Sequence, residues 1–202
     1  MVSGNSDPTT ASSAVAAAAV KVLIAGGFGV GKTTMVGAVS EVAPLRTEEV
    51  LSENGETVDD LSGVETKTTT TVALDFGRIT INSDVILYIF GTPGQERFWF
   101  LWDELVRGAL GAIVLADTRR LANSFAAVDF FENRGVDFVV AVNCFDGAPM
   151  YTIEEVRDAL DLDPTVPIRL CDARDRESSK SVLLALLEHL MKRARAKLGL
   201  GV

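Results

Sequence analysis

The run Gly26-Gly27-Phe28-Gly29-Val30-Gly31-Lys32-Thr33 constrains this chain more than any other stretch. It fits the phosphate-binding pattern G-x-x-x-x-G-K-[ST], and its surroundings are the ones the pattern needs. The apolar β-type run Val20-Lys21-Val22-Leu23-Ile24-Ala25 precedes it, and a helical stretch from Thr34 to Val39 follows, ending near Pro44. Glycines let backbone N–H groups close around a phosphate where a Cβ would block the approach. The following helix adds the partial positive charge of its N-terminus. Gly26, Phe28, Gly29, Val30, Gly31, Lys32, Thr33 and Thr34 are therefore expected to line a nucleotide's phosphates. Lys32 would reach the β- and γ-phosphates, and the Thr33 hydroxyl would ligate Mg²⁺.

Composition narrows the class. A chain of 202 residues fits one domain, and 48% hydrophobic residues suit an α/β protein with its central strands covered on both faces. A net charge of −9 disfavours a nucleic-acid surface and steady binding to anionic lipid. Two cysteines without metal-ligand spacing and a single histidine, His189 in an apolar helical run, exclude a zinc site or a Ser-His-Asp hydrolase. Residues 1–19 are expected to be a disordered tail, and 20–198 the folded domain. Residues 14–20 lack a basic flank and read as the entry to the first strand, not a signal peptide. With neither a spanning segment nor a lipidation motif, the reading is a cytoplasmic protein without a stable membrane anchor.

Beyond the first helix, residues 45–63 are polar and aperiodic and read as a long loop. Strands are expected at 66–81, 85–90, 109–116, 136–142 and 166–170. Helices are expected at about 96–107, 124–133, 152–160 and 178–197, the third starting from a Thr152 cap. Strands alternating with helices imply a three-layer α/β fold. It has a mostly parallel six-stranded sheet with one antiparallel strand, helices on both faces and ligands at the strands' carboxyl ends.

Three further loops leave strand ends. In Gly91-Thr92-Pro93-Gly94-Gln95, the Gly94 N–H can meet a γ-phosphate and Gln95 can orient an attacking water. In Asn143-Cys144-Phe145-Asp146, the Asp146 carboxylate can accept hydrogen bonds from N1 and N2 of guanine, donors that adenine lacks. Asn143 would tie this loop to the phosphate loop. In Cys171-Asp172-Ala173-Arg174, the Ala173 N–H can meet the guanine O6, with Arg174 beside the base.

Phosphate loop, Thr-rich strand, T-P-G-Q-E-R-F, N-x-x-D and x-D-A-R in this order resemble a Ras-like small GTPase, a P-loop NTPase. The likeness covers residues 20–198. More narrowly, G-T-P-G-Q-E-R-F-W-F resembles the small GTPase-like proteins of actinobacterial conservon operons, relatives of the MglA group. The resemblance implies a guanine-nucleotide switch that binds GTP and GDP with Mg²⁺ and hydrolyses GTP slowly. It also implies a Roadblock-type regulatory partner and a histidine-kinase-like protein. It implies that Thr71, with Thr70 as the alternative, is the switch threonine at Mg²⁺, and that Lys32, Thr71 and Gln95 carry catalysis.

Two positions depart from the resembled pattern. Gly91 stands where the family has the aspartate that serves Mg²⁺, and Cys144 stands where a lysine packs along base and sugar. The first departure keeps open a nucleotide-binding scaffold or assembly module with little or no hydrolysis. Cys144 and Cys171 are expected to be reduced thiols near the base pocket. Phe98-Trp99-Phe100-Leu101-Trp102 cannot all face inward on a helix. Phe98 and Trp102 are expected in the core, and Trp99 or Phe100 toward a partner. Neither Arg46 nor Arg97 has a spacing that marks an arginine finger.

Overall fold

The computed structural model describes residues 17–43, 45–52, 69–95 and 98–199. Seven strands form one sheet: β1 (Ala18–Ala25), β2 (Leu45–Ser52), β3 (Thr69–Asn82), β4 (Val85–Gly91), β5 (Ala109–Ala116), β6 (Phe138–Asn143) and β7 (Ile168–Cys171). Their order across the sheet is β2-β3-β4-β1-β5-β6-β7. Only β3 runs against the rest, pairing antiparallel with β2 on one side and β4 on the other. The helices are α1 (Lys32–Val39), α2 (Phe100–Val106), α3 (Phe125–Arg134), α4 (Ile153–Ala159) and α5 (Arg176–Lys197), with a 3₁₀ segment, Thr118–Ser124, between β5 and α3.

The six expected strands all form, and β2 is a seventh at the sheet edge. Eight residues of the expected 45–63 loop are thus strand, and the remainder, 53–63, lies outside the described residues. Arg46, Thr47, Glu48 and Glu49 conceal β2 from a search for apolar alternation. Charged residues on an edge strand are a common guard against pairing with other chains. Of the expected tail, residues 1–16 lie outside the described ones, whereas Ala18 and Ala19 already pair with Val85 and Ile86.

Strand alternation sorts the core into two layers. Val22 and Ile24 of β1, with Ile113 and Leu115 of β5, pack against Met35, Val36 and Val39 of α1 and Val182, Leu183 and Leu186 of α5. Leu23 and Ala25, with Ala112, Val114 and Ala116, face Trp102 of α2, Phe131 of α3 and Val156 of α4. This is the three-layer fold that the strand–helix alternation predicts. Thr152 caps α4 through a reciprocal pair with Glu155, so one side chain fixes where that helix starts. His189 is a buried residue of α5, as expected.

β1 lies between its parallel neighbours β4 and β5, where chain direction across the sheet reverses. Parallel strands open a crevice at their carboxyl ends at such a point. The loops after β1, β4, β5, β6 and β7 converge there.

Candidate nucleotide site

The phosphate loop connects β1 to α1. Gly26 has φ 136° and Gly31 φ 104°, left-handed conformations that favour glycine. A Cβ on Gly31 would also stand 2.7 Å from Asn143 Nδ2. Gly31 caps α1 without any side-chain acceptor, so the first N–H groups of the helix are left for a ligand. Lys32 folds back over the loop, donating from Nζ to the Gly26 and Gly27 carbonyls at 2.9 and 2.8 Å. Only 8% of Lys32 is exposed. Burial pulls its ammonium down to about 8, partly opposed by the nearby Asp75 charge. A buried cation held by carbonyl dipoles is a receptor for an anion. Phe28, 68% exposed, projects from the tip of the same loop.

A carboxylate stands beside Gly91 on the neighbouring strand. Asp75 of β3 sits opposite Gly91 in the ladder, and its Oδ2 accepts the Thr33 hydroxyl at 2.6 Å. A Cβ on Gly91 would lie 3.0 Å from the Asp75 Cβ and 3.1 Å from Oδ2. Glycine at 91 is therefore what admits Asp75. A half-buried hydroxyl–carboxylate pair beside a phosphate loop is a hard-oxygen donor set that suits Mg²⁺, which keeps several waters and takes few protein ligands. Among the described residues no group of three or more His, Cys, Asp or Glu could hold a metal. The ion would therefore depend on Thr33, Asp75, phosphate oxygens and water. In sequence Asp75 stands out only through its spacing to Thr71, in the order T-x-x-x-D-F, and its pairing with Thr33 and Gly91 was not foreseen.

Thr71 is not brought to this pair. It lies in β3 opposite Val50. Four residues, roughly 13 Å of strand, separate it from Asp75. Thr70 is farther still.

The loop after β4 presses onto the phosphate loop. A Cβ on Gly94 would stand 2.6 Å from Lys32 Nζ and 2.9 Å from the Phe28 backbone nitrogen. The half-buried Gln95 follows, its carbonyl accepting the Phe98 N–H at 3.0 Å. Arg97 lies outside the described residues, and Arg46 is in β2 opposite Asp75. Phe98 and Trp102 are buried, whereas Trp99 and Phe100 are 36% and 58% exposed, so the aromatic run divides as expected.

On the base side, Asn143 is buried and ties three segments together. Its Nδ2 donates to the Val30 carbonyl at 2.9 Å, and its Oδ1 accepts the Ala173 N–H at 3.0 Å. That N–H, expected at the guanine O6, is thus engaged by Asn143 here. Asp146 is exposed and receives both Nη atoms of Arg174, at 3.1 and 3.3 Å. Arg174 also clamps Asp172 through Nε at 2.9 Å and Nη2 at 2.8 Å. These hydrogen bonds hold the Asp146 carboxyl below its ordinary value and raise the guanidinium. Cys144 donates its N–H to the Cys171 carbonyl at 2.8 Å. Burial pushes the Cys171 thiol up to about 12, so it is unreactive at neutral pH. Arg119, which motif reading missed, pairs with the buried Asp117 at the end of β5 and stacks on Phe145.

Gly29, Gly31, Thr34, Asn143, Asp146, Ala173 and Arg174 line one cleft of about 340 Å³. Seven residues expected from sequence are therefore gathered at a single site. Among the described residues no helix is long and apolar enough to cross a membrane.

Comparison with known proteins agrees with this geometry. The chain is 30% identical over 137 residues to the uncharacterized protein MJ1339 of Methanocaldococcus jannaschii, covering 67% of this chain and 76% of that one. The FeoB G-domain of Methanococcus jannaschii superposes with a TM-score of 0.56 at 13% identity, covering 86% of this chain and 98% of that domain. The cytosolic domain of the T. maritima FeoB iron transporter in a GDP form superposes with a TM-score of 0.61 at 18% identity, covering 86% and 64%. At such identity these two likenesses speak for the fold alone. The family model described as conserved hypothetical ATP binding protein matches residues 24–193, and the chain is a P-loop NTPase that belongs to this family.

Proposed function

We propose that this P-loop protein is a guanine-nucleotide switch that binds GTP and GDP with Mg²⁺ and hydrolyses GTP slowly. The observation that carries the reading is the base loop. Asn143 fixes it to the phosphate loop, and Asp146 presents two carboxylate oxygens to a planar pair of N–H donors. Arg174 supplies that pair here, and the N1 and N2 donors of guanine would take it over. Adenine would leave the carboxylate unmatched.

Each residue then has a chemical task. Lys32, already inside the loop, neutralises charge on the β- and γ-phosphates. Thr33 and Asp75 would hold Mg²⁺, whose charge would shield the phosphate oxygens. Gly94 offers its N–H to the γ-phosphate, and Gln95 orients the water for in-line attack. Thr71 serves the metal only after the β2–β3 edge rearranges, which would make its approach a mark of the GTP state. By likeness to conservon-type GTPases, a Roadblock-type protein would read that state and a histidine-kinase-like protein would work beside it. The cytoplasm is the compartment this reading implies.

The family description favours a second reading, in which the nucleotide is ATP. Asp146→Asn separates the two. An amide offers a donor where xanthine has an oxygen, so the variant should lose GDP and gain XDP if Asp146 reads the base. Unchanged GDP binding, or preference for ATP in the parent protein, would support the second reading. Single-turnover phosphate release with excess protein then tells a slow GTPase from a non-hydrolysing module.

A further inference from the structure

The base loop has Cys144 at the position where resembled GTPases carry a lysine along the base and sugar, so the cleft lacks that cation. Another element brings one in. Arg119, in the 3₁₀ segment after β5, lines the same cleft as Gly31, Thr34 and Asp146. Its guanidinium carbon stands 3.8 Å from the centroid of the Phe145 ring. Asp117, 4% exposed, holds it from behind, accepting from Nε at 2.9 Å and from Nη2 at 2.8 Å. The Arg119 backbone N–H donates to the same carboxylate at 2.9 Å. The arginine is therefore fixed at two points, yet its side chain keeps 40% of its surface open.

A guanidinium packed on one aromatic ring is a flat cationic surface suited to stacking against a second π-system. Anchoring by Asp117 means that little side-chain freedom remains to be lost on binding. We infer that Arg119 is a nucleoside-positioning residue, replacing from the β5–α3 connection the cation that Cys144 cannot supply. The inference rests on the nucleotide-switch reading and adds a base-and-sugar contact to it. The competing role is purely structural, with Arg119 only neutralising Asp117 at the end of β5.

Calorimetry on the full chain, using GDP and inorganic pyrophosphate as separate probes, distinguishes these roles. Arg119→Ala is expected to weaken GDP roughly tenfold while pyrophosphate stays within about twofold, because the loss falls on the nucleoside. Cys144→Lys added to that variant is expected to restore most of the lost GDP affinity, and to add little in the parent protein. Arg119→Lys keeps a charge beside Asp117 and guards against misfolding of the alanine variant. It should weaken GDP to an intermediate degree and leave pyrophosphate unchanged. Equal losses of GDP and pyrophosphate, no loss of either, or no rescue by Cys144→Lys would each overturn the inference. Failure of the parent protein to bind GDP would instead sink the switch reading itself.

Discussion

Lys32 and Asp75 are two buried charged residues beside the phosphate loop. Lys32 is buried without a phosphate, and its pKa falls from 10.5 to about 8. Below pH 8 the folded and unfolded chains both hold the proton, and the desolvation cost is fully present. As pH rises through 8 the folded state releases the proton, while the unfolded state keeps it until about 10.5. Stability of the nucleotide-free protein should therefore rise across this window, by about 3 kcal/mol from this group. Lys32→Met should remove that rise in pH-dependent urea unfolding. Phosphate oxygens reverse the shift, so nucleotide binding above pH 8 should take up a proton, seen as a dependence of binding heat on the buffer's ionisation enthalpy.

Asp75 and Gly91 form a matched exchange across one rung of the ladder. Asp75→Ala should lower the enhancement of nucleotide affinity by Mg²⁺ at least tenfold, roughly the effect of removing a metal-site partner. Gly91→Asp alone should disturb the site, because its Cβ would come within 3.0 Å of the Asp75 Cβ. The double variant Asp75→Gly/Gly91→Asp should recover part of the Mg²⁺ effect. If it recovers none, while Asp75→Ala also leaves the effect intact, Asp75 does not serve the ion.

Among the elements, α2 is tied to the loop after β4 by one buried hydrogen bond, from Trp102 Nε1 to the Pro93 carbonyl at 3.0 Å. Movement of that loop would therefore reach the exposed Trp99 and Phe100 directly. Trp102→Phe leaves the carbonyl buried without its donor and should cost about 1–3 kcal/mol in chemical unfolding. Trp99→Phe, at the surface, should be close to neutral for stability but should abolish most of the fluorescence change between the GDP and GTP states. A change that survives in Trp99→Phe would place the moving aromatic elsewhere. The split of this aromatic run was legible because helical spacing forbids five large residues from sharing one face. β2 was not legible, since its pairing is decided by β3 alongside it and its centre, Arg46 to Glu49, is polar. The part Asp75 plays was hidden for the same reason: in sequence it serves only as the spacing mark that selects Thr71, and its pairing with Gly91 is made by strand register over sixteen residues of separation.

At the scale of the whole molecule, alternating strands and helices predicted the three layers, and the strand-end loops predicted which residues would meet. The phosphate loop, Asn143, Asp146 and Arg174 converge because all follow strands that are parallel and adjacent to β1 or beyond it in one direction. What linear sequence could not convey was partnership inside the cleft. Arg174 engages Asp146 and Asp172 at once, and Arg119 approaches Phe145 from another connection. Both arginines stand on the base side of the cleft, whereas the cation at the phosphate loop is Lys32.

The central claim is that this site selects a guanine nucleotide and uses a metal ion to hold it. Calorimetric titration of nucleotide-stripped protein with GDP, GTP, ADP and ATP, each with and without Mg²⁺, tests it most directly. The account predicts tighter binding of GDP and GTP than of ADP and ATP, strengthened by Mg²⁺ in a manner that depends on Asp75. Equal affinity for adenine and guanine nucleotides, or indifference to Mg²⁺, would contradict it.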